Sequence, residues 1–337
     1  MRGKGNLAFT AVIAALLAAG LGLGWLGLRG DSSTSVQSVP IEPLGPAAIC
    51  VVTPSAEARS LLVEDINQAR ASVFIECYLI SDPDVVRALC SARARGCDVR
   101  VVMEETPYGG FSMNDSVRNT LRSSGIDASW GNRVYSFTHA KFAIIDDATA
   151  WVMTANLTKS AFEKNREVLI RSGSQDLVHD LLRVFWADRR RSPCTAGRLV
   201  VSPGNAREDI VQMLMSAGSS VDIASEVLDD SQVKQALERL SSRGVHVRAL
   251  VASPERIEVN AASRQELEKV GVAVRYLGSP YLHAKYVVID GRIAYVGSHN
   301  LTSGSLDENR EVGTITDEPA IVAVVEASFL SDWPLGS

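Results

Sequence analysis

Two ten-residue stretches carry the same polar residues in the same register: Phe137-Thr-His-Ala-Lys-Phe-Ala-Ile-Ile-Asp146 and Tyr281-Leu-His-Ala-Lys-Tyr-Val-Val-Ile-Asp290. Each reads His-x-Lys, four residues, then Asp. The register continues beyond them. His139/His283, Lys141/Lys285, Asp146/Asp290, Asn156/Asn300, Asn165/Asn309 and Glu167/Glu311 are all separated by 144 residues. One His-x-Lys can be accident, but six polar positions repeated without an insertion are a duplicated site. The chain must therefore fold as two like halves.

Upstream of the motifs the halves also correspond, at an offset of 148 or 149. Val51-Val-Thr-Pro54 and Val200-Val-Ser-Pro203 each read as a short strand stopped by proline. Helices follow at about 56–71 and 205–217, then apolar strands at 72–80 and 220–228. Amphipathic helices are expected at 82–95 and 230–243. Val85, Val86 and Leu89 form the buried stripe of the first, Val233, Leu237 and Leu240 that of the second. Gly96 and Gly244 suit the helix ends, and strands follow at 98–103 and 245–251. Strand–helix–strand order at this spacing predicts right-handed crossovers and a largely parallel sheet in each half. Each motif then lies on a strand, where His and Lys two apart project to one face. Apolar helices at 176–190 and 318–333 close the halves, and Arg189-Arg-Arg191 reads as a solvated linker. The resulting boundaries are 49–192 for repeat 1 and 198–335 for repeat 2. The loops 106–137 and 253–282, which lead into the motifs, are expected to face substrate.

The N-terminus reads differently. Leu7–Leu28 is a 22-residue run without charge, about 33 Å long as a helix at ~1.5 Å per residue. It is longer than a usual signal-peptide core and no clear small-x-small cleavage site follows. A retained single-pass anchor over 1–30 is therefore expected, with a secreted, cleaved form as the alternative. Arg2 and Lys4 ahead of the run place the folded part on the extracytoplasmic side. The Ser- and Pro-rich segment 31–48 reads as a flexible tether.

Across 337 residues the net charge is −5, which weighs against a surface built for nonspecific nucleic-acid binding. The five cysteines lack zinc-ligand spacing and read as buried apolar residues or free thiols, with a Cys50–Cys194 bridge open in an oxidising compartment.

Paired His-Lys-Asn sets suit phosphodiester chemistry. One neutral imidazole attacks phosphorus in line, and a second, protonated one donates to the leaving oxygen. Lys141, Lys285, Asn156 and Asn300 would surround the non-bridging oxygens, where charge builds. Glu167 and Glu311 can accept an Nδ1–H and fix the ring tautomers. Asp146 and Asp290, about five residues along the strand, are expected to support or form turns rather than touch phosphate. His299 is either incidental or pocket-lining, and His179 and His246 read as structural.

These residues resemble the phospholipase D superfamily, whose signature is His-x-Lys-x4-Asp, six residues, then Gly-Ser-x-Asn. The second half matches through Gly297-Ser-His-Asn300. The first departs, with Met153-Thr-Ala-Asn156, although Thr154 keeps the hydroxyl that Ser298 supplies. The resemblance covers about 50–335. It implies two similar α/β domains related by a pseudo-twofold and sharing one site within a single chain. It also implies a covalent phosphohistidine intermediate, with no metal and no cofactor required. By that analogy His139 attacks and His283 does the acid/base work. The leading expectation is a membrane-tethered hydrolase of phospholipid. The alternatives are a cardiolipin-synthase-like phosphatidyltransferase, a tethered nuclease acting on nucleic acid, and a noncatalytic lipid binder.

Overall fold

The computed structural model describes residues 39–45, 47–109, 113–194 and 197–337. The first half runs β1 (Ile49–Thr53), α1 (Ala56–Gln68), β2 (Ser72–Cys77), α2 (Pro83–Ala94), β3 (Asp98–Met103), α3 (Met113–Ser123), β4 (Asp127–Trp130), β5 (Lys141–Ile145), β6 (Thr149–Met153), α4 (Lys159–Glu163), β7 (Asn165–Ser172) and α5 (Gln175–Arg190). The second runs β8 (Val200–Ser202), α6 (Ala206–Met215), β9 (Ser220–Ser225), α7 (Ser231–Ser242), β10 (His246–Ala252), α8 (Val259–Lys269), β11 (Ala273–Leu277), β12 (Tyr281–Leu282), β13 (Lys285–Ile289), β14 (Ile293–Gly297), a π-helical turn at Gly304–Glu308, β15 (Glu311–Thr316) and α9 (Pro319–Asp332).

The two sheets have the same order, β1-β7-β6-β5-β2-β3-β4 and β8-β15-β14-β13-β9-β10-β11. Along these orders only the β2-β3-β4 and β9-β10-β11 edges are parallel and the other neighbours are antiparallel, while β12 adds to β7 in parallel off the path. The largely parallel sheet expected from strand–helix–strand order is thus corrected to a mixed one. Crossover helices enforce parallel pairing in the first part of each half, but β5-β6-β7 and β13-β14-β15 are joined by connections too short for a crossover. The strands β4 and β11, which sequence patterning leaves inside the loops, extend each parallel edge.

Alternation along the strands builds three cores. Phe142 and Ile144 of β5, Tyr286 and Val288 of β13, and the inner faces of α5 and α9 share one central core between the sheets. The opposite faces pack outward. Ala143 and Ile145 meet α1 and α2, and Val287 and Ile289 meet α6 and α7. Each large apolar side chain so buried contributes about 1.5–3 kcal/mol. Asp82 and Asp230 cap α2 and α7, each accepting from two backbone N–H groups. On α2 the buried stripe is Val85, Ala88, Leu89 and Ala92, with Val86 only half-buried.

Four further readings are corrected. The tether does not extend to residue 48. Val39 and Ile41 pack against the second half, Leu44 is buried in the central core, and Glu42 N–H donates to Ile315 O at 2.7 Å. Arg189 and Arg190 are the last turn of α5 rather than linker, and Arg189 pairs with Asp127. The membrane-spanning helix, with the membrane partner and extracytoplasmic placement drawn from it, is not supported. No helix among the described residues is long and apolar enough to cross a membrane, and the 7–28 run lies outside them. The Cys50–Cys194 bridge is absent, since Cys50 is a free thiol.

Candidate functional site

Each motif enters its sheet beside the strand end where a parallel crossover begins: Lys141 pairs with Cys77 of β2, and Lys285 with Ser225 of β9. The residues just before each motif cross to the other half. Tyr281 and Leu282 add to β7, and His283 N–H donates to Arg166 O at 3.2 Å. Thr138 bridges to Arg310, and His139 N–H donates to Arg310 O at 2.8 Å. The backbone therefore places each histidine against the Asn-Arg-Glu strand of the opposite repeat.

The side chains follow. His139 Nδ1 lies 2.7 Å from Glu311 Oε2, and His283 Nδ1 lies 2.7 Å from Glu167 Oε1. A carboxylate only accepts, so Nδ1–H is the donor on His139 and its Nε2 is left with the lone pair. Burial opposes ionisation of Glu311, yet His139 and Lys141 hold it down at about 2. Glu167 is lowered as well, against burial, by His283 and Lys285. Burial outweighs the pull of Glu311 on His139. With Lys141 and Lys285 nearby, it brings that imidazole down to about 4. His139 is neutral at pH 7.

The lysines are almost fully buried. Lys141 Nζ donates to His139 O at 2.6 Å, and Lys285 Nζ donates to His283 O and to Glu226 Oε2. Burial, then repulsion from Lys285, lowers Lys141 to about 8. Asn165 and Asn309 donate to Glu167 and Glu311 at 3.3 and 3.2 Å. Asn300 Nδ2 reaches Glu226 Oε2 at 3.4 Å. Asn156 Oδ1 is buried with no hydrogen-bond partner among the described residues. Thr154 donates to Glu167 at 2.6 Å, whereas the Ser298 hydroxyl exchanges hydrogen bonds with the backbone of Val312. Met153, where the signature has glycine, is fully buried in the core of the first half. In the second half Gly297 is needed. A Cβ there would lie 2.3 Å from Tyr295 Oη, the hydroxyl that reaches His299 Nδ1 at 2.6 Å. His299 is fully buried behind the site, and its Nε2 has no partner among the described residues.

Asp146 and Asp290 do not join this cluster. They close the far ends of β5 and β13, about 17 Å from the lysines at ~3.3 Å per residue. Both adopt positive φ, 55° and 52°. Asp146 accepts from the N–H groups of Arg70, Ala71 and Ser72, and Asp290 from those of Gly218, Ser219 and Ser220. Against a burial penalty, these bonds lower both carboxyls, Asp290 to about 2. They are turn anchors.

Sequence reasoning missed the parts played by Tyr78, Glu226 and Tyr281. Tyr78 follows β2 and sets its ring 4.6 Å from that of His139. Glu226 follows β9 at the equivalent position, 148 residues on. Its Oε2 lies 3.6 Å from His283 Nε2, and its Oε1 accepts from Tyr281 Oη at 2.7 Å. A glutamate closing an apolar run was the available signal.

Two imidazoles, two ammonium groups and two orienting carboxylates, drawn crosswise from two copies of one motif, define a two-histidine enzyme of phosphate esters. The chain belongs to the family described as "Cardiolipin synthase, PLD-like domain", whose model matches residues 62–189 and again 210–333. It is an enzyme of the phospholipase D superfamily, acting by that superfamily's phosphodiester cleavage and transfer. It is 27% identical over 194 residues to the human mitochondrial cardiolipin hydrolase, covering 57% of this chain and 75% of that protein. It is 24% identical over 327 residues to cardiolipin synthase A of Pseudomonas fluorescens (strain SBW25), covering 82% of this chain and 66% of that protein. The chain thus spans about two thirds of that synthase. The polyphosphate kinase of Porphyromonas gingivalis shares the fold over 85% of this chain and 50% of that one, with a TM-score of 0.64 at 18% identity.

Proposed function

We propose that the chain transfers a phosphatidyl group from one phospholipid to an alcohol through phosphorylated His139. The observation that carries this is the crossed pairing of His139 with Glu311 and His283 with Glu167. Holding each ring by a carboxylate of the opposite half supports one shared site in which the two histidines have opposite tasks. His139 Nε2 forms the P–N bond while the P–O bond to the leaving alcohol breaks, and that oxygen takes the proton of His283 Nε2. An incoming hydroxyl then gives its proton to His283, forms the new P–O bond and releases His139. Lys141, Lys285, Asn156 and Asn300 hold the non-bridging oxygens, and Glu167 and Glu311 keep the rings aligned and support each imidazolium. Acid–base transfer of this kind contributes about 10²–10⁴-fold.

The similarity to cardiolipin synthases along most of the chain supports transfer over the hydrolysis expected from sequence. Water in place of the alcohol gives hydrolysis at the same intermediate, a reading favoured by the similarity to cardiolipin hydrolase. The test incubates the purified chain with labelled phosphatidylglycerol, with and without added glycerol, beside a single-stranded oligonucleotide. Transfer yields a diphosphatidyl product whose yield falls as glycerol competes. Phosphatidic acid as sole product would replace transfer by hydrolysis, and a shortened oligonucleotide with untouched lipid would move the enzyme among the nucleases.

A further inference from the structure

The duplication is broken at one position facing the reaction. Where the first half places Tyr78 against His139, the second places the carboxylate of Glu226 against His283. Glu226 is held on both oxygens. Oε1 accepts from Tyr281 at 2.7 Å, and Oε2 accepts from Lys285 at 3.0 Å and Asn300 at 3.4 Å. That oxygen also looks at the reactive nitrogen of His283 from 3.6 Å. His283 thus has a carboxylate beyond each ring nitrogen, Glu167 at Nδ1 and Glu226 at Nε2. A neutral imidazole has one N–H and can satisfy only one of them. His139 has one carboxylate and an aromatic ring.

We infer that Glu226 is a positioning carboxylate that holds His283 as imidazolium in the free enzyme. The half with Glu226 thereby supplies the proton, and the half with Tyr78 supplies the nucleophile. The inference deepens the two-histidine reading and rests on it. The charged groups around His283 are Glu167 from β7, Glu226 beyond β9 and Lys285 at the start of β13, with the Tyr281 hydroxyl at the start of β12 and Lys141 within electrostatic reach of Lys285 and Glu167. Glu226 stays ionised. Burial works against it, but Lys285, His283 and Tyr281 hold it far below the ordinary carboxylate range.

The experiment titrates ring-labelled histidines by NMR in the full chain, with the His283 signal assigned from His283→Gln. In Glu226→Gln and Glu226→Tyr the pKa of His283 falls by about one unit or more, while that of His139 stays. Glu226→Asp retains most of the shift, separating charge from fold. In parallel, kcat/KM is measured on two diesters. With an alkyl leaving group, which needs a proton, Glu226→Gln loses about 10–100-fold at neutral pH. With a p-nitrophenyl leaving group the loss stays within about threefold, because that oxygen leaves unprotonated. An unmoved His283 titration, or equal losses on both diesters, overturns the inference. A parent chain that cleaves neither diester counts against the two-histidine reading instead, and the titration still decides what Glu226 does.

Discussion

His139 Nδ1 stands 2.7 Å from Glu311 Oε2, a carboxylate 172 residues further along the chain and in the other half of the molecule. The same exchange joins His283 to Glu167. The carboxylate beside each ring therefore belongs to the opposite repeat.

That relationship predicts the effect of neutralising the carboxylate. Glu311→Gln keeps the volume but removes the charge that fixes the Nδ1–H tautomer and steadies His139 when it becomes cationic. We expect kcat on a p-nitrophenyl diester to fall roughly 10²-fold or more, with KM little changed. A variant with near-parental kcat and an intact fold by circular dichroism would remove Glu311 from the mechanism.

Splitting the roles of the histidines gives a second prediction. With a phosphorus-labelled p-nitrophenyl diester, His283→Ala forms the phosphoenzyme, because the leaving group needs no acid, and then retains label because no base activates the acceptor. His139→Ala takes up none. Label found on His283 in a chain lacking His139 would reverse the assignment.

Much of the site is legible in the amino-acid sequence. A register of 144 residues holds from His139 to Glu167, and the fold sets each histidine against a glutamate of that register, with Asn165 and Asn309 on the same glutamates. Partnership is what the register does not contain. Nothing in the spacing of His139 and Glu167 says that each pairs outside its own repeat, because that depends on β12 adding to β7 across the halves. The parallel expectation failed for a related reason. Local order dictates β2-β3-β4, but the motif strand inserts between β2 and β6, a non-local choice. Glu226 was passed over as part of an apolar strand that in fact ends one residue earlier, at Ser225.

The pH profile follows from burial. His139 must be neutral to attack, and burial brings it down to about 4, so kcat/KM rises with pH through about 4. Lys141 must be charged to hold phosphate oxygens, and burial with Lys285 nearby lowers it to about 8, so activity falls no later than about 8. The optimum lies between these limits, with an acidic limb below that of an exposed histidine. An acidic limb near 6.5 would show that the attacking imidazole is not the buried His139.

Behind the site the halves are locked by two related ion pairs, and one carries an additional proton. Arg166 binds Asp332 at 2.6 Å, and Arg310 binds Asp188 at 2.8 Å. Only the second pair has Glu76 beside it, because Ala224 stands at the equivalent position. Glu76 is fully buried, and neither of its carboxyl oxygens meets a donor among the described residues. Two acceptors facing one another require a proton between them. Burial first, then Asp188, raises Glu76 well above its ordinary 4.5. The native chain therefore binds a proton that the unfolded chain releases above about 4.5, so this pair costs stability as pH rises from there towards the folded value. Arg310→Ala, which strips the cation from the buried carboxyls, is expected to cost about 3–5 kcal/mol. Glu76→Gln supplies an N–H in place of the shared proton and should flatten the fall in unfolding midpoint with pH. Denaturant unfolding at several pH values checks both. If Glu76→Gln keeps the parental pH slope, the proton is not shared at this pair.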